Sequence, residues 1–200
     1  MRTFEEKSKK YYNHIANTYD HSFDGLVTIK FKNFLLEDII IHPNEAVMDI
    51  ACGNGTLLKM VSERWKIRGF GLDIAENMIK NAKIKCPDMT FEVSSCERSS
   101  LPSQSIDVII VCAAYHHFPD VKAFAQEANR LLKPSGRLYI AEIYFPFFRI
   151  LTNPLLRYWK AGDVKCYSPK EIRENFESFG FEQIGFKKRG LMQIVKMRKK

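Results

Sequence analysis

Between residues 46 and 143 short apolar runs alternate with amphipathic stretches, and this alternation sets the fold class. Ala46-Val47-Met48-Asp49-Ile50 reads as a buried strand, and the runs Gly69–Leu72, Thr90–Val93, Asp107–Cys112 and Arg137–Ile143 read as four more. Between them, Thr56–Trp65 carries Leu57, Leu58, Val61 and Trp65 at helical spacing. Glu76–Lys85 and Asp120–Lys133 repeat that spacing, and the last stops at the turn cluster Lys133-Pro134-Ser135-Gly136. Strands that alternate with helices need crossover connections, so they form a parallel sheet covered by helices. With right-handed crossovers the result is a doubly wound α/β fold.

The flanks differ. Residues 4–19 and 28–41 read as helices before the first strand. Ser168-Pro169-Lys170-Glu171 is a capping box with proline at the first helical position, and its helix stops at Gly180. Two apolar runs that meet at Arg189-Gly190 form a terminal hairpin. The expected organisation is one domain: a helical cap (1–45), a ligand-binding core (46–143), a substrate lid (144–167), and a final helix with hairpin (168–200).

A length of 200 residues with 46% apolar content supports one buried core and excludes a disordered or collagenous chain. The net charge of +8 invites a nucleic-acid or membrane reading. Its location qualifies that reading: residues 146–200 carry 13 basic and 5 acidic groups, while residues 46–145 are nearly neutral. The five cysteines form no C-x-x-C pair, which fits a reducing compartment. The segment Met1–Tyr12 lacks the apolar centre of a signal peptide, and no apolar run approaches the ~20 residues of a spanning helix. A cytoplasmic location is the expectation. No combination of residues suggests a metal site.

The chemistry begins at Asp49-Ile50-Ala51-Cys52-Gly53-Asn54-Gly55-Thr56, a strand entering a glycine turn and then a helix. Gly53 and Gly55 let a ligand lie against the main chain, and the helix N-terminus presents free N–H groups. A lone G-x-G is also compatible with a plain tight turn. Asp73, at the end of the next strand, adds a carboxylate that can accept hydrogen bonds from both hydroxyls of a ribose, so the pair reads as a nucleoside site. A dinucleotide fingerprint wants a small third residue where Leu58 stands. A pyrophosphate also has no use for the carboxylate of Asp49, whereas an ammonium-bearing ligand does. These two points favour S-adenosylmethionine.

On these motifs the chain resembles the class I S-adenosylmethionine-dependent methyltransferases, most closely the small-molecule branch that includes quinone-biosynthesis methyltransferases. The resemblance covers roughly residues 11–183. It implies that Asp49, Ala51, Gly53 and Gly55 surround the methionine part of the cofactor. Within Gly71-Leu72-Asp73-Ile74-Ala75-Glu76-Asn77-Met78, Asp73 would hold the ribose, with Ile74 and Met78 near the adenine. In Cys96-Glu97-Arg98-Ser99-Ser100-Leu101-Pro102, Glu97 replaces the usual Asp that meets the adenine amino group, and Arg98 lies beside it. Tyr19, in Ile15-Ala16-Asn17-Thr18-Tyr19-Asp20, would lie near the methionine end, and Cys112 at the end of the fourth strand. The implied sheet has seven strands in the order 3-2-1-4-5-7-6, with strand seven antiparallel.

The implied reaction is an in-line displacement on a sulfonium methyl, for which the protein supplies alignment and a dry pocket. Tyr115, His116 and His117 follow the fourth strand. Either a histidine binds or deprotonates the acceptor, or the pair fixes the loop. Glu142 and Tyr144 end the fifth strand; Glu142 either orients an acceptor or satisfies backbone. Phe147 and Trp159 belong to an aromatic segment over residues 145–160, with Arg149, Arg157 and Lys160 interleaved. That segment reads as a lid over a small apolar or aromatic acceptor, as plain core, or as a contact with an anionic membrane surface. Three rivals stay open: an RNA methyltransferase, suggested by the basic C-terminus, an NAD(P)-dependent oxidoreductase, and a non-catalytic sensor of S-adenosylmethionine.

Overall fold

The computed structural model describes residues 4–145, 153 and 161–200. Most of the expected lid, with Phe147 and Trp159, lies outside the described residues. Helices α1 (Phe4–Ile15) and α2 (Phe23–Leu36) precede β1 (Ala46–Ile50). Then follow α3 (Thr56–Ser62), β2 (Arg68–Asp73), α4 (Glu76–Lys85), β3 (Thr90–Val93), β4 (Ile106–Cys112), α5 (Val121–Leu131) and β5 (Leu132–Ile143). The chain ends with α6 (Pro169–Glu177), β6 (Phe181–Arg189) and β7 (Met192–Lys199).

One seven-stranded sheet runs in the order β3-β2-β1-β4-β5-β7-β6. The first five strands are parallel to one another, and β7 is antiparallel to both β5 and β6. Strand and topology expectations therefore hold. Because side chains alternate along a strand, each central strand feeds two cores. Met48, Ile50, Ile109, Val111, Leu138 and Ile140 pack with Phe124 and Phe176 on one face. Val47, Val108, Ile110, Tyr139 and Ala141 pack with Phe34, Leu35, Leu57 and Leu58 on the other. Burial on both faces is why these strands read as continuous apolar runs.

Several boundaries differ from the sequence reading: the first two helices end at Ile15 and Leu36 rather than at residues 19 and 41, and two starts also move. The second helix starts at Phe23 rather than residue 28, because Ser22 caps it by accepting from Gly25 N at 3.1 Å. Gly25 is needed inside that first turn: a Cβ there would collide with the Tyr19 carbonyl, against which the helix docks. Strand β5 starts at Leu132, directly after α5, and not at Arg137. Leu132 pairs with Ile106, the cluster Lys133–Gly136 bulges out with Ser135 at a φ of 61°, and pairing resumes at Arg137 opposite Val108.

The capping box is formed as expected: Ser168 Oγ accepts from Glu171 N at 3.2 Å, and the Glu171 side chain accepts from Ser168 N at 2.8 Å. Ser168→Ala should cost about 1 kcal/mol of stability, measured as a lower urea midpoint at unchanged slope.

The basic C-terminal quarter is extensively paired. Lys187 and Lys196 face Asp38, Arg189 faces Glu37, and Arg198 faces Glu182. Lys165, Lys170 and Arg173 face Glu171, Glu174 and Glu177. Lys199 donates to the carbonyls of Asn129 and Leu132. Three of these groups, Lys187, Arg189 and Lys196, tie the terminal hairpin to the end of α2. Among the described residues, no helix is long and apolar enough to cross a membrane.

Candidate active site

The carboxyl ends of β1, β2 and β4 open into one cavity of about 750 Å³, counting its open mouth. Helix α1 covers it from above with Glu5, Ser8 and Tyr12. The expected site residues Tyr19, Ala51, Gly53, Asp73, Ile74, Met78, Cys112 and His117 all line it. The others do not. Asp49 is buried on β1, at 2% exposure, and Gly55, Glu97 and Arg98 stand outside the lining.

The glycine turn is held from two sides. Asp73 Oδ2 accepts from Gly53 N at 2.8 Å, and its Oδ1 accepts from Ala75 N at 2.9 Å. Asp73 therefore braces the turn as well as facing the cavity, a role sequence reasoning missed. A carboxylate has about four acceptor positions, so capacity for a ligand hydroxyl remains. On the far side, Asp20 Oδ1 accepts from Asn54 Nδ2 at 2.8 Å, and Asp20 Oδ2 pairs with Lys85 at 2.9 Å. Gly55, at a φ of 77°, brings the start of α3 onto α4: a Cβ there would stand 3.1 Å from Ala82 Cβ. A Cβ on Gly53 would meet nothing within 4 Å, so its backbone faces open space where a ligand can lie.

Two alanines at strand ends, Ala51 at β1 and Ala113 at β4, hold left-handed φ values of 60° and 52°. Both line the cavity. Such positions cost an alanine of order 1 kcal/mol or more and concentrate at binding sites. No sequence pattern marks them.

The acids are tuned by burial. Burial pushes the Asp49 carboxyl up to about 8; Lys32 opposes the shift and Asp73 adds to it. Burial pushes Asp73 up to about 6, against the N–H groups of Ala75 and Gly53. An incompletely compensated acid beside the turn suits a ligand that brings a cation.

At the other end stand the two histidines. His117 Nε2 lies 3.0 Å from the Tyr12 hydroxyl, with the rings edge-on. His116 Nδ1 lies 2.9 Å from Glu142 Oε1, and His116 N donates to Glu142 Oε2 at 3.1 Å. Glu142 is fully buried and also accepts from Ile143 N, so it positions His116 and does not face the cavity. Burial works against charge on His116, but Glu142 and Asp163 outweigh it and raise its pKa. Burial and the neighbouring His116 lower that of His117.

The structure places the other candidates elsewhere. Tyr115 is fully buried in an aromatic cluster with Phe118, Phe124, Tyr167 and Phe176, and its hydroxyl meets Asn175. The first residue after Ala114 points inward, away from the acceptor space. Tyr144 lies over the terminal hairpin, with its N–H on the Leu191 carbonyl and Lys188 above its ring. Lining residues that sequence reasoning missed are Tyr12, Ser94, Ser95, Ala113, Phe118 and Pro119.

Residues 48–140 match the family described as a methyltransferase domain. A relative from Rickettsia akari, named ubiquinone/menaquinone biosynthesis C-methyltransferase UbiE, is 26% identical over 88% of this chain and 85% of its own. Among solved structures, a chain of the complex containing the Haloferax volcanii Trm112 methyltransferase activator superposes with a TM-score of 0.83, at 18% identity, over 96% of both chains. An S-adenosylmethionine-dependent methyltransferase from Mesorhizobium loti superposes at 0.71, with 19% identity, over 84% of this chain and 96% of that one. At these identities the structural likenesses speak for the fold.

Proposed function

We propose that this chain, which matches a methyltransferase-domain family over residues 48–140, is a class I S-adenosylmethionine-dependent methyltransferase that methylates a small apolar or aromatic acceptor at the Tyr12–His117 end of the cavity. The observation that carries this reading is the composition of that end: Tyr12, Tyr19, Ala113, Ala114 and His117 line it. The UbiE relatives extend the proposal to a quinol-like ring as acceptor.

S-adenosylmethionine supplies an electrophilic methyl on a sulfonium. The residues present fit it: Asp73 has free acceptor capacity toward a ribose, the Gly53 backbone is open, and Asp49, buried outside the lining, would act on an ammonium through its charge and not by direct contact. The chain's task is alignment and exclusion of water. Tyr12 and Tyr19, edge-on at 6.3 Å, form an apolar wall. His117 presents the polar group nearest that wall. Its Nε2 is on the Tyr12 hydroxyl, so an acceptor hydroxyl or carbonyl would meet the Tyr12–His117 pair, with His116 behind it.

The test is transfer of labelled methyl from S-adenosylmethionine to a panel of quinols, phenols, small amines and RNA. Label in an apolar or aromatic product is expected. Label in RNA or amines alone would contradict the acceptor class.

Asp49 sets a pH dependence. A cationic ligand favours its ionised form, so affinity for S-adenosylmethionine should fall as pH drops from about 8 to 6, by on the order of tenfold per unit at the limit. Stability of the unliganded chain runs the other way. The raised folded pKa means the folded state holds this proton more tightly than the unfolded one. Its contribution therefore declines as pH rises from the unfolded carboxylate range toward about 8. Asp49→Asn should flatten both limbs, the first read by calorimetric titration with S-adenosylmethionine and the second by urea denaturation of the unliganded chain, each across pH.

A further inference from the structure

We propose that His116 Nε2, His117 Nδ1 and Asp163 Oδ1 form a binding site for one divalent transition-metal ion at the acceptor end of the cavity. These three ligand atoms lie within 4.8 Å of one another. Asp163 Oδ1 is 2.9 Å from His117 Nδ1 and 3.5 Å from His116 Nε2. Tetrahedral ligands on one ion at about 2.0–2.2 Å stand roughly 3.3–3.6 Å apart, so the Asp163–His116 separation fits directly and the Asp163–His117 pair would open by about half an ångström.

Three further features make this a built site. First, His117 Nδ1 is buried with no hydrogen-bond partner: the Asp163 oxygen is near but not aligned to accept from it. A buried ring nitrogen left this way is costly unless something else occupies its lone pair. Second, His116 is oriented from behind. Its Nδ1 meets the buried carboxylate of Glu142, which leaves Nε2 directed at Asp163. A carboxylate on the distal nitrogen is the usual support of a metal-bound histidine. The Tyr12 hydroxyl at His117 Nε2 plays the same part for the second ring. Third, Asp163 comes from a distant segment that is pinned in place. Val164 N and Lys165 N both donate to the His116 carbonyl, at 2.7 and 3.2 Å. Ala161 O accepts from Ser8 Oγ at 2.6 Å.

Charge agrees. Two carboxylates, Glu142 and Asp163, face two imidazoles, and a dication balances them with both rings neutral. Two imidazoles and one carboxylate suit Zn²⁺, Co²⁺ or Fe²⁺ and are a poor set for Mg²⁺ or Ca²⁺. Three protein ligands leave at least one coordination position open, as in catalytic sites. His117 lines the cavity, so that position would take an acceptor oxygen. This last step rests on the methyl-transfer reading; binding of the ion does not.

The experiment titrates chelator-treated full-length chain with Co²⁺, followed by visible ligand-field absorption, and then displaces the Co²⁺ with Zn²⁺. One saturable site per chain is expected. His116→Ala and Asp163→Asn should each weaken it by roughly 100-fold or more, and Glu142→Gln by about 10–100-fold. Asp163→Asn is the milder change and guards against misfolding in His116→Ala; a retained thermal shift with S-adenosylmethionine checks each variant's fold. No saturable site, or a site whose affinity ignores both ligand variants, overturns the assignment. Methyl transfer plays no part in this readout, so it separates failure of the ion site from failure of the acceptor reading.

Discussion

Asp73→Ala should lower affinity for S-adenosylmethionine by about 100- to 1,000-fold while leaving the chain folded. A hydrogen bond to a charged acceptor is worth about 1.5–3 kcal/mol, and a ribose offers two hydroxyls to this carboxylate. Two such bonds sum to roughly 3–6 kcal/mol; water that replaces the lost partner offsets part of this, and the lower end of about 3–4 kcal/mol is the stated factor. The same substitution frees Gly53 N and Ala75 N, which Asp73 now satisfies at 2.8 and 2.9 Å. The turn therefore loosens along with the direct loss. Asp73→Asn separates the two effects. Its amide oxygen can still accept from one backbone group but carries no charge, so it should fall between the wild type and Ala. Calorimetric titration reads all three proteins, and equal affinity across them would remove Asp73 from the ribose.

Phe176→Ala should be the most damaging single change to stability, at about 3–5 kcal/mol. Phe176 on α6 is fully buried. Its ring lies 5.8 Å from Phe124 of α5 and 5.3 Å from Phe181 of β6, both edge-on. It joins the last helix, the crossover helix and the terminal hairpin. Truncation leaves a cavity whose walls belong to three elements, so they cannot all relax into it. Urea denaturation should show a lower midpoint at unchanged slope. Phe176 is not part of the cavity lining, so cofactor affinity should persist at temperatures where the variant stays folded.

Much of this architecture was legible because periodicity is a direct image of burial. The run Val108-Ile109-Ile110-Val111 is continuous because the strand feeds cores on both faces. The terminal hairpin could be read from Arg189-Gly190 and the apolar runs beside it. The start of α2 could not, because Gly25 looks like a helix breaker until the Tyr19 carbonyl it makes room for is in view. The ligand site divides the same way. Gly53 and Asp73 sit at strand ends, where the fold class itself places ligands, so sequence position was enough.

The rest needed three dimensions. Whether Tyr115 or His117 meets the cavity depends on the turn that follows β4, and the two residues point in opposite directions. Ala51 and Ala113 carry no mark of their left-handed backbones. Asp163 joins the histidines only because Val164 and Lys165 hydrogen-bond to the His116 carbonyl, a contact no local spacing encodes. The C-terminal charge excess could be counted but not interpreted, because its partners Glu37 and Asp38 lie at the end of α2.

The central claim is that the cavity above β1 and β2 takes S-adenosylmethionine. Thermal denaturation with S-adenosylmethionine, S-adenosylhomocysteine and NAD, each at equal concentration, tests it most directly. A ligand at about 100 times its dissociation constant adds about 2.7 kcal/mol, which for a domain of this size is roughly 5–10 °C. A shift of that order is expected with the first two and none with NAD. A shift with NAD alone would contradict it.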